Sequence, residues 1–232
     1  FPNESNIYKA DGSFVKMVND VPLDEVRPQG FMAERTGKRN MSWRDDQPAT
    51  LVWAEVLDNG DPAVDVAYRD AAYQLEAPFN GEPKLLLKTK QRLAGIDWGN
   101  DNTAIAYDRW WNTRNTKTYL FNPSNNKQEP KIITDRSYQD VYSDPGNFVT
   151  SKNKYGRNAL EMDGDKLFRM GRGFSDEGQF PFIDEYNVKT NKTNRIYQSE
   201  YTDKLESLID AINIKKGDIL VRIESQTEYP NY

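Results

Sequence analysis

The sequence contains neither cysteine nor histidine. Without cysteine the chain forms no disulfide and offers no thiolate nucleophile, and without histidine it lacks the base of a Ser-His-Asp triad. These two residue types are also the usual protein ligands of zinc. The two absences therefore exclude most familiar hydrolytic machinery, and we predict no catalytic residue in this chain. They leave the cellular compartment open, because proteins of this size need no disulfide in either redox environment.

Long apolar runs are missing as well, since hydrophobic residues make up 37% of the chain and the mean hydropathy is −0.88. No segment is long and apolar enough for a transmembrane helix, so we expect no membrane insertion. The first residues, FPNESNIYKADG, lack the basic and apolar regions of a signal peptide, so an export signal was either removed or never present. The net charge is −5 with both signs interspersed, which gives no basic face for nucleic acid.

A hairpin pattern occurs four times along the chain. Two strand-like runs flank a polar turn at residues 7–18, 71–89, 117–134 and 182–199. Between these hairpins lie pairs of apolar strands near a tryptophan, as in MSWRDDQPATLVWAEV and AGIDWGNDNTAIAYD. An inner pair followed by an outer hairpin makes a four-stranded antiparallel sheet. A series of such sheets is typical of a β-propeller, and aromatic residues, at 12%, must supply much of its core.

The pattern predicts an all-β fold, a partial β-propeller with roughly three complete four-stranded blades and an incomplete blade at each end. We expect residues 1–232 to be one propeller fragment, with blades at about 33–89, 91–134 and 138–199 and partial blades at 1–18 and 206–225. Closed propellers have about 4–8 blades. The chain is therefore expected to form an arc of a larger ring.

The segment YTDKLESLIDAI, residues 201–212, fits two structures. Its apolar residues have the spacing of one helix face: Leu205, Leu208, Ile209 and Ile212. The β-branched residues of SLIDAINIKKGDILVRIES favour two strands joined by a turn at 215–217. We expect strands, beginning at about Ser207.

Three long stretches resemble one protein family in the same order along the chain. They are RTGKRNMSWRDDQPATLVWAEVLDNGDPAVDVAYRD (35–70), RLAGIDWGNDNTAIAYDRWWNTRNTKTYLFNP (92–123) and DRSYQDVYSDPGNF (135–148). Together they resemble the glutamyl endopeptidase-like branch of the prolyl oligopeptidase family. The resemblance implies an N-terminal propeller that covers a C-terminal α/β-hydrolase domain with a Ser-Asp-His triad and limits substrate access. This chain has no G-x-S-x-G nucleophile elbow and no histidine, so only the propeller is resembled.

Trp110 and Trp111, with Arg109 and Arg114, are candidates for a peptide-binding patch in DRWWNTRNTK. Indole rings stack on cations and ligand groups, and a guanidinium pairs with a carboxylate. The alternative is structural. Consecutive strand residues point to opposite faces, so one tryptophan would pack between blades while the other meets solvent or a loop.

The turn-rich stretch DVYSDPGN contains a second group of candidates, Asp140, Tyr142 and Asp144. It follows an outer hairpin, where the chain crosses to the next blade and would approach the central channel. A carboxylate there would bind a substrate amine or an arginine of the hydrolase domain. The alternative is a turn whose Asp side chains cap local amides. For Arg114, the structural alternative to peptide binding is an inter-blade salt bridge to Asp108 or Asp140.

The acidic stretches DNGDPAVD and EMDGDK do not follow the twelve-residue calcium loop, so we predict neither a metal nor a cofactor. Two functions then fit the sequence. The first is a non-catalytic propeller segment of a serine peptidase, which gates or positions peptide substrates for a C-terminal α/β-hydrolase domain of the parent chain. The second is a stand-alone binding propeller for a protein or glycan partner. In a bacterium the expected location is extracytoplasmic, either periplasmic or secreted.

Overall fold

Antiparallel β-strands form nearly all of the regular structure in this computed structural model, which describes residues 2–232. Phe1, with which the first predicted partial blade begins, lies outside the described residues. The first hairpin contains β1 (Asn3–Tyr8) and β2 (Phe14–Val21). The first blade contains β3 (Arg39–Trp43), β4 (Thr50–Val56), β5 (Asp70–Glu76) and β6 (Lys84–Thr89). The second blade contains β7 (Arg92–Asn100), β8 (Thr103–Trp110), β9 (Asn115–Phe121) and β10 (Lys131–Ser137).

The third blade is larger and less regular than the first two. Its segment holds β11 (Asn147–Phe148), β12 (Thr150–Lys152), β13 (Asn158–Leu160), β14 (Met162–Asp163), β15 (Lys166–Gly171), β16 (Phe174–Ser175), β17 (Gly178–Gln179), β18 (Phe182–Asn187) and β19 (Lys192–Gln198). The sheet order is β11-β15-β18-β19, with β14 also paired to β15. The pairs β12-β13 and β16-β17 are separate small hairpins. The last hairpin joins β20 (Leu205–Asn213) to β21 (Asp218–Glu224) through a 3-10 turn at Ile214–Lys216.

In the first and second blades the strands follow one another in chain order across the sheet. Both faces of these sheets are buried, because each blade packs between two neighbours. In β4, Leu51 and Trp53 pack against the first hairpin, whereas Val52 packs against the second blade. In β8, Ala104 belongs to the cluster shared with the first blade, and Ile105 belongs to the cluster shared with the third. The period of two along each strand therefore distributes apolar side chains to two different interfaces.

The four hydrophobic clusters of residues 2–232 each join neighbouring units along the chain. The cluster at the far end packs Phe168 and Ile183 of the third blade against Leu208 and Ile219 of the last hairpin. None of these clusters contains residues of both the first and the last hairpin. The units form an open series, and the prediction of an all-β, partial β-propeller is confirmed.

The segment that fitted two structures is a strand. β20 runs over Leu205–Asn213 and pairs with β21, so the helix alternative is wrong and the strand begins two residues before the expected Ser207. Within residues 2–232, no helix has the length and apolar character needed to cross a membrane.

Because the strands alternate in direction, the connecting segments lie at two opposite rims. We call one of them the upper rim, defined by the segments 22–38, 57–69, 111–114, 138–146 and 172–181. The lower rim contains the segments 44–49, 77–83, 101–102 and 122–130. Trp111, Arg114, Asp140, Tyr142 and Asp144 lie in these upper-rim segments, and Trp110 is the strand residue next to one of them.

A candidate peptide-binding surface on the upper rim

Trp110 is the last residue of β8 and lies where the first and second blades meet. The guanidinium of Arg69, from the first blade, is 4.1 Å from the centre of its ring, and that of Arg92 is 6.0 Å away. Both arginines form ion pairs of 2.8 Å with Asp58. Trp110 thus packs on a buried charge cluster between blades, which is the structural role considered for one member of the tryptophan pair.

Trp111 is the exposed member of the pair, with 41% of its surface accessible. Its ring stacks on Phe31, with centroids 5.2 Å apart and an angle of 28° between the planes. The guanidinium of Arg114 lies 3.8 Å from the centre of the Trp111 ring. We call Phe31, Trp111 and Arg114 the aromatic–arginine surface. A cation over an indole face is held by the ring quadrupole while its N–H donors at the edge stay available.

Backbone geometry and hydrogen bonds also fix the position of Arg114. Arg114 has a φ of +55°, which few non-glycine residues adopt, and its amide donates to the carbonyl of Trp111 at 3.2 Å. Its Nη1 donates to the same carbonyl at 2.8 Å. The amide of Tyr138, just after β10, donates to the Arg114 carbonyl at 2.8 Å. These bonds tie the turn between β8 and β9 to the end of β10.

Arg114 forms no ion pair within residues 2–232, so neither of the salt bridges considered as alternatives is present. Asp108 is fully buried and accepts hydrogen bonds from the amides of Gln91 (3.0 Å) and Lys117 (2.9 Å) and from the hydroxyl of Tyr119 (2.5 Å). Burial raises the pKa of Asp108 above its ordinary value, although these hydrogen bonds oppose the shift. Its role is to join strands β8 and β9 to the turn before β7.

Arg109 does not belong to the aromatic–arginine surface, so the expectation of one patch holding both arginines is wrong. It precedes Trp110 in β8 and points to the opposite face of the sheet, where its guanidinium lies 4.8 Å from the centre of the Tyr138 ring. Strand alternation separates Arg109 from Trp110, and because β8 ends at Trp110, Trp111 does not continue that alternation. Arg109 lines a cleft between the second and third blades instead.

Asp140 and Tyr142 lie in the crossing between the second and third blades. Asp140 is exposed, and its Oδ1 accepts hydrogen bonds from the amides of Tyr142 (3.1 Å) and Ser143 (3.4 Å). Hydrogen bonding from the side chain of Ser143, with help from these amides, lowers the pKa of Asp140. The ring of Tyr142 is 64% exposed. This is a local capping turn that leaves one aromatic ring in solvent.

Asp144 makes both a cap and an ion pair. Its Oδ1 accepts the amide of Gly146 at 3.1 Å and lies 2.9 Å from Nη2 of Arg136. Gly146 has a φ of +81°, a conformation that favours glycine and lets the chain turn into β11. The structure therefore brings all six predicted site residues to one rim but gives Arg114 and Asp144 different neighbours.

Among residues 2–232 there is no group of three or more acidic, histidine or cysteine side chains arranged to hold a metal ion. The chemistry available at the upper rim is thus recognition by guanidinium, carboxylate and aromatic groups.

Two curated plant proteins are similar to this chain, and both are named "Probable glutamyl endopeptidase, chloroplastic". The protein from Oryza sativa subsp. japonica is 34% identical over 247 residues, and that from Arabidopsis thaliana is 35% identical over 248 residues. Both alignments cover 100% of this chain and 26% of the relative. The whole chain is homologous to part of glutamyl endopeptidase-like proteins. It spans about a quarter of their length.

No family model matches the chain. Among solved structures, the β-propeller domain of the trilobed protease from Pyrococcus furiosus, described as having an open velcro topology, aligns with a TM-score of 0.40 and 9% identity. That alignment covers 83% of this chain and 57% of the other.

Two residues of this chain complete the rim geometry but were not predicted from the sequence. Phe31 lies in a segment without regular structure, and only the fold brings it onto Trp111. Tyr138 follows β10 and contacts both Arg109, through its ring, and Arg114, through its amide. Neither residue has a local sequence signal, because both contacts depend on the register of the second blade.

Proposed function

We propose that this chain is the non-catalytic propeller segment of a serine peptidase, and that it gates and positions peptide substrates for an α/β-hydrolase domain elsewhere in the parent protein. The observation that supports this is the similarity of the entire chain to a quarter of two proteins named as glutamyl endopeptidases. A sequence without histidine cannot supply the Ser-His-Asp base itself. The triad would then come from the remaining part of the parent.

The aromatic–arginine surface is the element that we assign to substrate binding. One donor of Arg114 is used by the carbonyl of Trp111, at 2.8 Å, and this is the one side-chain hydrogen bond of Arg114 within residues 2–232, which leaves Nη2 and Nε free. Those two donors form the edge that binds a carboxylate with two parallel hydrogen bonds. An acidic peptide side chain would be recognised there, while Trp111 and Phe31 offer apolar area to the residues beside it.

The test is the Arg114→Ala variant of the full-length parent, assayed with two peptide substrates that differ only by Glu or Gln at one position. Loss of the charge-assisted pair should raise KM for the Glu peptide by about tenfold or more, with kcat little changed. KM for the Gln peptide and the melting temperature should stay near the wild-type values. The matched control is Arg172→Ala, which removes another upper-rim arginine stacked on an aromatic ring, Phe174, at 5.0 Å.

Two results would contradict the assignment. Kinetics unchanged by Arg114→Ala would remove Arg114 from substrate binding. A lower melting temperature with equal losses for both peptides would show instead that the residue serves only to hold the turn between β8 and β9.

A further inference from the structure

A cleft of about 450 Å³ lies between the second and third blades and opens beside the upper rim. Its floor is one face of the second blade, where alternate residues of four strands point the same way: Gly95 and Asp97 from β7, Tyr107 and Arg109 from β8, Thr116 and Thr118 from β9, and Arg136 from β10. Tyr138 and the turn at Asp144 form the side nearest the third blade. The floor is therefore largely polar, whereas the rest of the lining includes the apolar residues Ala94, Pro145 and Phe148.

Arg109 is a free cation in this cleft. Within residues 2–232 its guanidinium takes part in no hydrogen bond and no ion pair, and its one contact of note is the ring of Tyr138 at 4.8 Å. The other cleft arginine, Arg136, is fully engaged, because it pairs with Asp144 at 2.9 Å and donates to the carbonyls of Ser137 (3.0 Å) and Asp140 (2.7 Å). Arg109 thus contributes one positive charge that the surrounding chain does not neutralise.

The hydroxyl of Tyr138 is a second independent sign of a ligand. Its oxygen is buried and has no hydrogen-bond partner among the described residues. A buried hydroxyl without a partner costs free energy, and such groups are uncommon in folded proteins. The Tyr138 ring is also the surface on which the Arg109 guanidinium rests, at 4.8 Å from the ring centre, so the unpaired hydroxyl and the unpaired cation belong to two side chains in contact.

Other charges restrict what the cleft can accept. Asp97 lies deeper, accepts the hydroxyl of Tyr107 at 2.7 Å, and has its pKa raised by burial. It is paired across the sheet with Ile105, four residues before Arg109 in β8, which places it about 13 Å from Arg109 along the strand. A carboxylate at Arg109 would lie far enough from Asp97 to escape strong repulsion, whereas an anion that filled the whole cleft would not.

We propose that this cleft is a second recognition site, separate from the aromatic–arginine surface, and that it binds one carboxylate group of a peptide through Arg109 and the Tyr138 hydroxyl. Both the side chain of an acidic residue and a free C-terminus carry that group. The proposal does not depend on the proposed peptidase function, because it requires only the geometry of the second blade.

The test is a chemical-shift titration of the isotope-labelled chain with three short peptides, up to about 10 mM for weak binding. One is acetyl-Ala-Glu-Ala-amide, with only a side-chain carboxylate, and another is acetyl-Ala-Gln-Ala with a free C-terminus. The neutral peptide acetyl-Ala-Gln-Ala-amide is the control. We expect saturable shifts at the cleft with at least one of the carboxylate peptides and none with the neutral one, and the peptide that binds identifies the source of the carboxylate.

Variants then assign the binding to residues. Arg109→Ala should weaken it by about tenfold or more, and Arg109→Lys, which keeps the charge but not the planar fork, should weaken it less. Tyr138→Phe should weaken it without unfolding the chain, while Arg172→Ala should bind as the wild type does. The proposal is overturned if the neutral peptide binds equally well, if neither carboxylate peptide binds, or if Arg109→Ala leaves the affinity unchanged.

Discussion

Asp58 shows how single residues hold the interface between the first two blades. It is fully buried, accepts the amide of Gly60 at 3.0 Å, and lies 2.8 Å from both Arg69 and Arg92. Arg92 reaches Asp70 as well, at 3.1 Å. Burial raises the pKa of Asp58, but hydrogen bonds from Arg92 and Arg69 outweigh it and leave the pKa below its ordinary value. The carboxylate is therefore charged in the folded state.

We expect Asp58→Asn to lower the free energy of unfolding by about 3–5 kcal/mol, because it leaves the guanidinium of Arg69 without a counter-charge and removes one of the two carboxylates that pair with the buried Arg92. Urea-induced unfolding followed by tryptophan fluorescence measures the change. The control is Glu76→Gln, which breaks an ion pair with Lys84 whose two side chains are 51% and 64% exposed. An exposed ion pair contributes about 1 kcal/mol or less to the free energy of unfolding. Equal effects in the two variants would contradict the role given to Asp58.

The Asp58→Asn variant also tests how the free energy of unfolding depends on pH. Because the folded-state pKa of Asp58 is depressed, its contribution to stability is fully present above the ordinary value of 3.8 and is lost as the pH falls through the folded-state pKa. Wild-type stability should thus fall more steeply than that of Asp58→Asn below about pH 4. Other buried carboxylates, such as Asp108, contribute to both proteins and cancel in the difference. Parallel pH profiles would be inconsistent with a charged Asp58.

At the scale of elements, the hairpin β12-β13 departs most from a regular blade. It leaves the third blade, lies against β7 of the second, and reaches the turn between β3 and β4 of the first. Nη1 of Arg157 donates to the carbonyls of Arg44 and Gln47, both at 2.8 Å, and Nδ2 of Asn153 donates to the carbonyl of Asp45 at 2.6 Å. The hairpin therefore links three blades at the lower rim.

Arg157→Ala should release this link without unfolding the blades. We expect faster amide exchange in residues 150–160 and in the turn at 44–50, with the core strands β4, β5 and β8 unchanged, as measured by hydrogen–deuterium exchange mass spectrometry. Lys154→Ala, on the exposed tip of the same hairpin, is the control. Exchange that increases across all three blades would mean that Arg157 supports the global fold, and exchange that does not change would mean that its hydrogen bonds are dispensable.

The elements that could be predicted from the sequence are those with local signals. The outer hairpins of the three blades, β5-β6, β9-β10 and β18-β19, are formed by the predicted alternating runs. The hairpin β12-β13 was not predicted, because its hydrogen-bonding partners lie more than 100 residues away in the chain. The separation of Arg109 from Trp111 was not predicted either. Alternation along a strand would place both side chains on one face, but β8 ends at Trp110, so Trp111 does not follow that pattern.

On the scale of the whole molecule, the blades are stabilised by their neighbours. The two end hairpins each bury one face and expose apolar residues on the other: Tyr8 and Phe14 at one end, Ile209 and Ile212 at the other. A stacked unit gains stability from each adjacent unit, so the two end hairpins have less support than the blades between them. The function that we propose gives the chain a supporting and selecting role within the parent protein and no reaction of its own.

The most direct test of this central claim is to incubate the purified chain, and separately the full-length parent, with peptides that contain an internal Glu and to follow cleavage by mass spectrometry. We expect every peptide to remain intact with the chain alone, and the parent to cleave after Glu until a serine-directed reagent stops it. Cleavage by the chain alone that the same reagent abolishes would contradict the account.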